Sequence, residues 1–214
     1  MADEDLTPQQ DATLGKARTE AFSDGVLAIA ITLLVLDVAI RPPGSPTEQF
    51  LRGWPSYLAY LVSFLTIGGV WIIHHALTNR LDRVDPIFLR LNLLLLLMVS
   101  FLPFPTRLVA DALDKTTDWQ RMAAVVYGLT LLVIRLLFAV LGGYARREHL
   151  QRSGGDDPDL QDARKKLGVA VGAYVVTICL GLVVPIVAIG LYFAIAIFLI
   201  VPFGAVGRAV FGKH

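Results

Sequence analysis

The sequence predicts an all-α integral membrane protein, a bundle of six transmembrane helices with both termini in the cytoplasm. Of its 214 residues, 55% are hydrophobic and only 17% are charged, whereas a soluble domain carries about a quarter charged residues. The mean hydropathy is +0.63. The apolar residues are concentrated in blocks, and each block is long enough to cross roughly 30 Å of hydrocarbon. We therefore expect almost no soluble domain.

Six apolar blocks are the predicted spans. They cover residues 22–40, 55–75, 87–106, 121–143, 167–184 and 186–206. After the first block, Pro42, Pro43 and Pro46 prevent the helix from continuing, because proline lacks the backbone donor and has a fixed φ. The longest polar connection, residues 145–166, joins the fourth block to the fifth. The last two blocks have no polar linker, and Pro185 between them predicts a tight hairpin.

The distribution of basic residues predicts how the helices are oriented. Thirteen of the 19 Lys and Arg residues lie on one side, in the terminal segments and two connections, and five lie on the other side. Because cytoplasmic segments carry the excess of basic residues, both termini are expected in the cytoplasm. The predicted organisation is an acidic cytoplasmic tail at 1–17, disordered over 1–13, a transmembrane domain at 18–206 and a short cytoplasmic tail at 207–214.

Several classes of protein and partner are disfavoured. The net charge is +1, which provides no basic field for nucleic acid; the basic connection at 145–166 is expected to contact anionic lipid headgroups instead. The sequence contains no GxSxG or HExxH motif and no intramembrane pair of Asp residues, so neither an enzyme nor a metal or cofactor site is expected. Cys179, the single cysteine, is expected to pack as a small apolar residue.

The first block carries the most informative pattern. At about 100° per residue, one stripe of its helix is largely apolar. The stripe contains Phe22, Gly25, Ile29, Thr32, Leu33, Leu36 and Ile40. Asp24 falls on nearly the opposite stripe, and a carboxylate at a membrane boundary needs a partner. Alternatively, Ser23 or Asp24 caps a helix N-terminus, where an anion is favoured by about 0.3–1 kcal/mol. The residues alone leave both interpretations open.

Polar residues in the other blocks are further candidates. Trp71, His74 and His75 end the second block, where we expect an interfacial pair of histidines; contact with Arg18 and Asp24, or a response to pH, is the alternative.

Two more polar residues lie deeper in the apolar blocks. Asn92 is expected to form an interhelical hydrogen bond worth about 0.6 kcal/mol. Arg135 lies inside the fourth block, and we expect it to pair with Asp24 rather than to extend toward the membrane surface.

The strongest motif in the chain is an RxxxFSDG pattern. It consists of Arg18, Phe22, Ser23, Asp24 and Gly25. With the apolar residues 26–36 that follow, it resembles the first helix of the transmembrane protein 175 family of potassium channels. A second segment, SFLPFPT at residues 100–106, is similar to the third helix of that family. The six-span layout also agrees, so the resemblance covers essentially the whole membrane part.

The resemblance implies a homotetramer in the cell membrane whose central pore is lined by the first helix of each subunit. It places the narrowest ring at Ile29, with Thr32 or Leu33 and then Leu36 as the next pore-facing positions. No TVGYG-like filter segment is present, so a hydrophobic constriction would act as filter and gate. Asp37 would lie near the outer mouth; we expect it to pair with Arg41 rather than to face the pore.

The expected function is therefore that of a potassium-selective channel, multi-pass in the cell membrane. Its partners are further copies of itself and membrane lipids, its permeant ion is potassium, and it needs no cofactor. Two other functions are considered. One is a cation–proton exchanger or carrier, in which Asp24, the two histidines and Arg135 form a relay. The other is a membrane scaffold without ion flux.

Overall fold

The structure is a computed structural model that describes residues 8–38, 43–151 and 159–200, with the side chains of residues 13–38, 43–151 and 168–197. Some of the predicted features lie outside the described residues. They are the tail before residue 8, Arg41, part of the basic connection and the C-terminal segment after residue 200.

Within the described residues the chain forms eight α-helices, so the all-α prediction is confirmed. They are α1 (Pro8–Leu33), α2 (Pro46–Arg52), α3 (Trp54–Asn79), α4 (Pro86–Phe101), α5 (Pro103–Ala112), α6 (Thr117–Arg147), α7 (Asp159–Val183) and α8 (Pro185–Ile200). A 3-10 turn at Leu34–Asp37 extends α1.

Four segments of the described chain are long and apolar enough to cross a membrane. They are Thr13–Asp37, Trp54–Asn79, Pro86–Ala112 and Thr117–Arg147. The described parts of the last two helices are also apolar but shorter, at Gly168–Val183 and Pro185–Ile197. Each of the six predicted blocks therefore overlaps an apolar helix.

The first helix is longer than the sequence pattern predicts. Residues 8–13 were expected to be disordered, yet α1 begins at Pro8. Proline suits the first turn of a helix because its φ is already set and its missing N–H is not needed there. The Gln, Ala and Leu residues that follow are good helix formers. Hydropathy alone does not indicate such a polar extension, which is why the prediction was wrong.

Capping residues and prolines explain two other boundaries. The Ser45 hydroxyl accepts a hydrogen bond from the backbone N–H of Glu48, and the Glu48 carboxylate accepts one from the backbone N–H of Ser45. This capping box starts α2, a helix that the sequence analysis did not predict. The third predicted span is divided at Leu102, because Pro103 removes a backbone donor where α4 would continue into α5.

Helices α3 and α6 organise the bundle: α3 contacts α1, α5 and α8, and α6 contacts α4, α5, α7 and α8. Helix α1 packs mainly on α3 and α4, whereas α7 packs on α6 and α8 at another side of the bundle. The core is mostly apolar, and its completely buried side chains include Ile67, Phe88, Val99 and Leu141. The pore candidate α1 and helix α7 therefore do not pack on each other, and α4 and α6 lie between them.

Two connections meet at the arginine-rich end of the bundle. The backbone N–H of Asp82, between α3 and α4, donates to the carbonyl of Leu150, which follows α6, at 2.9 Å. Asp85 caps α4 by accepting from the Phe88 N–H at 2.7 Å, and its other oxygen accepts from the Tyr144 hydroxyl at 2.5 Å. These bonds fix the end of α6 against the start of α4.

Candidate pore helix and its anchoring network

Helix α1 has two faces with different surroundings. The buried face packs against α3 and α4 and consists of Thr19, Ser23, Leu27, Ala30 and Leu34. The other face carries large apolar side chains that no part of the described chain covers. Ile29 is 60% exposed, Leu33 43% and Leu36 76%. A single chain therefore packs α1 on one side only.

The uncovered face coincides with the stripe predicted from the sequence. Its described members are Phe22, Gly25, Ile29, Thr32, Leu33 and Leu36, all of them exposed. Ile40, the last predicted member, lies outside the described residues. The Thr32 hydroxyl donates to the Ile29 carbonyl at 2.9 Å, so its proton is used within the helix while its oxygen keeps lone pairs for another partner.

The far end of α1 is held by an ion pair. Nη1 of Arg107, on α5, lies 3.6 Å from a carboxylate oxygen of Asp37, and Nε of Arg107 lies 3.8 Å from Asp111. We had expected Asp37 to pair with Arg41, which lies outside the described residues. The tighter winding of the 3-10 turn, about 3.0 residues per turn instead of 3.6, directs Asp37 to α5.

A buried hydrogen-bond network anchors the middle of α1. The Asn92 amide of α4 donates to the Ser23 hydroxyl at 2.9 Å, and the Ser23 hydroxyl donates to the Thr19 carbonyl at 2.8 Å. The Asn92 side-chain oxygen lies 2.8 Å from Nε2 of His74 on α3. All three side chains are almost completely buried. The interhelical bond expected of Asn92 is therefore present and connects three helices.

The position of Ser23 decides between the two interpretations of the motif. Because α1 begins at Pro8, neither Ser23 nor Asp24 is at a helix N-terminus, and the capping interpretation is wrong. Ser23 instead faces the core, where a hydroxyl needs hydrogen-bond partners and has them on both sides.

Asp24 has a partner on α3, as the boundary carboxylate was expected to need. The Trp71 indole N–H donates to its carboxylate at 2.9 Å. The Trp71 ring stacks on His75 with a centroid separation of 5.5 Å, and the Asn79 amide lies 2.9 Å from Nε2 of His75. Arg18, one turn and a half before Asp24, is exposed. The two histidines thus serve different networks, His74 in the core and His75 at the surface.

The predicted pair between Arg135 and Asp24 is absent from the structure. No ion pair joins Arg135, on α6, to Asp24 within the described residues; the Asp24 carboxylate instead accepts a hydrogen bond from the Trp71 indole N–H. The prediction was wrong because α1 packs on α3 and α4, so α6 does not bring Arg135 to that carboxylate.

One polar cluster was missed by the sequence analysis. The Ser63 hydroxyl of α3 lies 2.6 Å from that of Thr106 and 3.2 Å from that of Tyr127, and the Thr106 hydroxyl donates to the Leu102 carbonyl at 2.8 Å. Tyr127, Ser63 and Thr106 thus form one directional chain that ends at the break between α4 and α5. Only Thr106 lay within a recognised motif, and no spacing in the sequence relates it to the other two.

Comparison with known proteins identifies the family. A family model described as "Endosomal/lysosomal potassium channel TMEM175" matches residues 18–103. A potassium channel of Streptomyces collinus is 39% identical over 170 residues, which are 78% of this chain and 82% of that protein. A potassium channel of Chamaesiphon minutus is 37% identical over 198 residues, 89% of this chain and 95% of that protein. The chain belongs to the TMEM175 family.

A solved TMEM175 structure agrees with the fold. The crystal structure of a lysosomal potassium-selective channel TMEM175 homolog from Chamaesiphon minutus matches with a TM-score of 0.71 at 35% identity, covering 86% of this chain and 95% of that chain. The resemblance predicted from RxxxFSDG is therefore confirmed. Because the TMEM175 relatives are channels, the prediction that the chain is not an enzyme is also confirmed.

The vertebrate TMEM175 relatives are longer and carry a different description. The "Endosomal/lysosomal proton channel TMEM175" of Gallus gallus is 34% identical over 138 residues, which are 59% of this chain but 28% of that protein. The family match at 18–103 contains the whole uncovered face of α1, both histidines and Asn92. It ends before Arg107 and Arg135.

Proposed function

We propose that this protein is a potassium-selective channel of the cell membrane, a homotetramer whose pore is lined by the uncovered face of α1. The relatives from Streptomyces collinus and Chamaesiphon minutus are named potassium channels. The observation that carries the proposal is the composition of that face. Lipid is as apolar as leucine, so exposed Ile29 and Leu36 alone would suit a lipid-facing helix. The same face also carries Thr32, Gly25 and, nearer the start of the helix, the charged Arg18. These residues suit a water-filled pore and contacts between subunits instead.

The constriction would be a ring of four Ile29 side chains. Such a ring is short and dry, so an ion crosses it only when the ring widens or the ion keeps part of its water. Closing the ring expels the water, which makes one ring both barrier and gate. Thr32 lies about one turn further along, and its free lone pairs offer oxygen ligands to the ion beyond the ring. Leu33 and Leu36 continue the apolar lining toward the outer mouth.

The buried network supports this assignment because it sets the rotation of α1. Ser23 is locked to Asn92 and, through it, to His74. Ile29 lies six residues further along the same helix, so its direction follows from that of Ser23. The hydrogen bond from Trp71 to Asp24 fixes the orientation of the adjacent face of α1. Asp37 near Arg107 holds the outer end close to the expected mouth.

The proposed topology has six spans with both termini in the cytoplasm. The four long apolar helices supply the first four spans. Helix α7, with 25 residues, measures about 37 Å along its axis and is long enough for the fifth. Helix α8 follows directly after Val184 and would supply the sixth. The excess of Lys and Arg on one side sets the orientation.

An exchanger is the weaker alternative. It would need Asp24, the histidines and Arg135 to form one relay. In the structure Asp24 is hydrogen-bonded to Trp71 and His74 to Asn92, and within the described part of the chain no hydrogen bond joins Arg135 to either of them. No continuous chain of hydrogen bonds joins these residues, so we favour a channel.

Ion flux into liposomes tests the proposal. We expect the purified protein to pass potassium faster than sodium under matched gradients, in proportion to the driving force. Ile29→Asn should weaken that preference, because a polar ring stays hydrated. The matched control is Ile186→Asn on α8, since Ile186 is 61% exposed and Ile29 is 60% exposed. Saturating flux with stoichiometric proton movement would support the exchanger, and equal effects of both substitutions would refute the Ile29 ring.

A further inference from the structure

The short helix α2 has a polar side that is bonded to its own loop. Three side chains of this side form hydrogen bonds of 2.7–2.9 Å with backbone groups of residues 43–45: Glu48, Gln49 and Arg52. At about 100° per residue, these three positions fall within one arc of the helix. A helix of seven residues is not stable in isolation, so these bonds and the capping box hold α2 in place.

The opposite side of α2 is apolar and lies at the surface of the chain. Phe50 is 58% exposed and Leu51 is 64% exposed. Trp54, the first residue of α3, continues the same arc and is also more than half exposed. The Tyr57 hydroxyl donates to the Phe50 carbonyl at 3.0 Å, and the two rings are 5.2 Å apart. Helix α2 is therefore fixed to the first turn of α3 with three large apolar side chains directed outward.

A second tryptophan marks the same end of the bundle. Trp119, in the first turn of α6, is more than half exposed. Leu58, near the start of α3, and Leu113, just after α5, line one cavity, and the Gln120 amide of α6 donates to the Leu113 carbonyl at 3.2 Å. The starts of α3 and α6 therefore lie at the same end. Because tryptophan is enriched where spans enter the membrane interface, Trp54 and Trp119 indicate the level of that interface, and α2 adjoins Trp54.

The composition of α2 favours lipid as the partner of its apolar side. A rigid arc of three large apolar side chains is unfavourable in water. A helix that lies in the membrane interface places such an arc among the upper acyl chains and keeps its polar side toward water. A protein interface uses roughly 20–30 residues on each side, far more than this arc provides. Glu48 and Arg52 have opposite charges, so α2 has no net charge with which to select a headgroup.

We propose that α2 is an interfacial helix, with Phe50, Leu51 and Trp54 inserted in the lipid just below the headgroups. Their partner is the glycerol and upper acyl region of the outer leaflet, and it is recognised by its apolar character rather than by its charge. Because α2 follows the candidate pore helix in the chain, it anchors the connection between α1 and α3 to the membrane surface. Only the name of the leaflet rests on the proposed topology, and ion flux plays no part in the proposal.

Depth-dependent fluorescence quenching tests this position. In the full chain with Cys179→Ser, Leu51→Cys is labelled with a bimane fluorophore and reconstituted into phosphatidylcholine liposomes. A nitroxide is attached to the lipid either near the glycerol end of the acyl chain or near its terminal methyl group, and iodide is the quencher in water. We expect the largest loss of fluorescence with the shallow nitroxide, a smaller loss with the deep one and the smallest with iodide. The order should stay the same when phosphatidylglycerol is added.

Two control positions calibrate the quenchers. Lys115→Cys is exposed in the connection before α6, and its label should lose fluorescence mainly to iodide. Leu129→Cys is exposed on α6, about 15 Å further along the helix axis than Trp119, and its label should lose fluorescence mainly to the deep nitroxide. If the labelled Leu51→Cys protein does not assemble, Thr47→Cys, which is exposed on the same arc, must give the order expected for Leu51.

Three outcomes would overturn the proposal. Iodide quenching at Leu51 as strong as at Lys115 would place α2 in water. Protection of the Leu51 label from iodide and from both nitroxides would place the arc against a second copy of the chain. Lipid quenching that appears only with phosphatidylglycerol would indicate recognition of an anionic headgroup. Since none of these readouts uses potassium, a protein that passes no potassium but shows the expected order would refute the channel and leave the interfacial helix.

Discussion

At the scale of single residues, Gly128 leaves the least room for a side chain among the described glycines. A methyl group there would lie 2.0 Å from the Tyr192 hydroxyl and 2.6 Å from Ile178. That hydroxyl donates to the Ala124 carbonyl at 3.1 Å, so it cannot move without losing a buried hydrogen bond. Glycine is therefore required because α6, α7 and α8 meet at this point.

Gly128→Ala should destabilise the protein by about 1–3 kcal/mol, the usual cost of overpacking a core. Reversible unfolding in mixed detergent micelles measures the change. The control is Gly143→Ala on the same helix, where an added methyl group meets nothing within 4 Å. Adding Tyr192→Phe should restore part of the loss, because it removes the nearest atom. Equal stability of the two alanine variants would contradict the packing described.

Single polar residues were only partly predictable from the sequence. Asn92 and Asp24 stood out because an amide or carboxylate in an apolar segment must have a partner, and both have one. Which residue serves as the partner depends on which helices are adjacent, and the sequence around a polar residue does not contain that information. Arg135 shows the limit, because a plausible carboxylate existed in the sequence but lies on a helix that α6 does not bring close.

At the scale of helices, the ends depend on residues that fix the backbone. Asp85 has two roles, since one oxygen caps α4 and the other accepts from Tyr144 on α6. It therefore couples the start of one helix to the end of another.

Substitutions at Asp85 should separate these two roles. Asp85→Ala should cost about 1–2 kcal/mol, since it removes the cap as well as the contact with Tyr144. Asp85→Asn should cost less, because its side-chain oxygen still accepts from the Phe88 N–H. Tyr144→Phe removes the interhelical bond alone and serves as the control. The same micelle unfolding measurement ranks the three, and a loss in Asp85→Asn as large as in Asp85→Ala would argue against the cap.

The helices themselves were predictable where hydropathy or proline marks them. The stripe on α1 follows from helical periodicity, and the structure leaves that same stripe uncovered. The polar start of α1 and the short α2 carry no hydropathy signal, although Ser45 and Glu48 did provide a capping-box signature. The contact of Asp37 with Arg107 was not predicted, because a 3-10 turn changes the angular spacing that a helical wheel assumes.

At the scale of the whole molecule, one chain leaves the candidate pore helix half covered. Composition and charge asymmetry predict a multi-pass membrane protein, but they say nothing about the number of subunits or the ion. The predicted number of subunits and the predicted ion came from the family resemblance, through a motif of five residues in α1.

Thiol accessibility along α1 tests the central claim most directly, that its uncovered face lines the pore. In a Cys179→Ser background, cysteine replaces Ile29, Thr32 or Leu36 on the uncovered face, and Leu27 or Leu34 on the buried face. Silver ions, which react with thiols, are added during potassium flux. We expect block in the first three variants and continued flux in the other two. Block at Leu27 and Leu34 with none at Ile29 and Leu36 would contradict the account, because the pore would then lie on the opposite side of the helix.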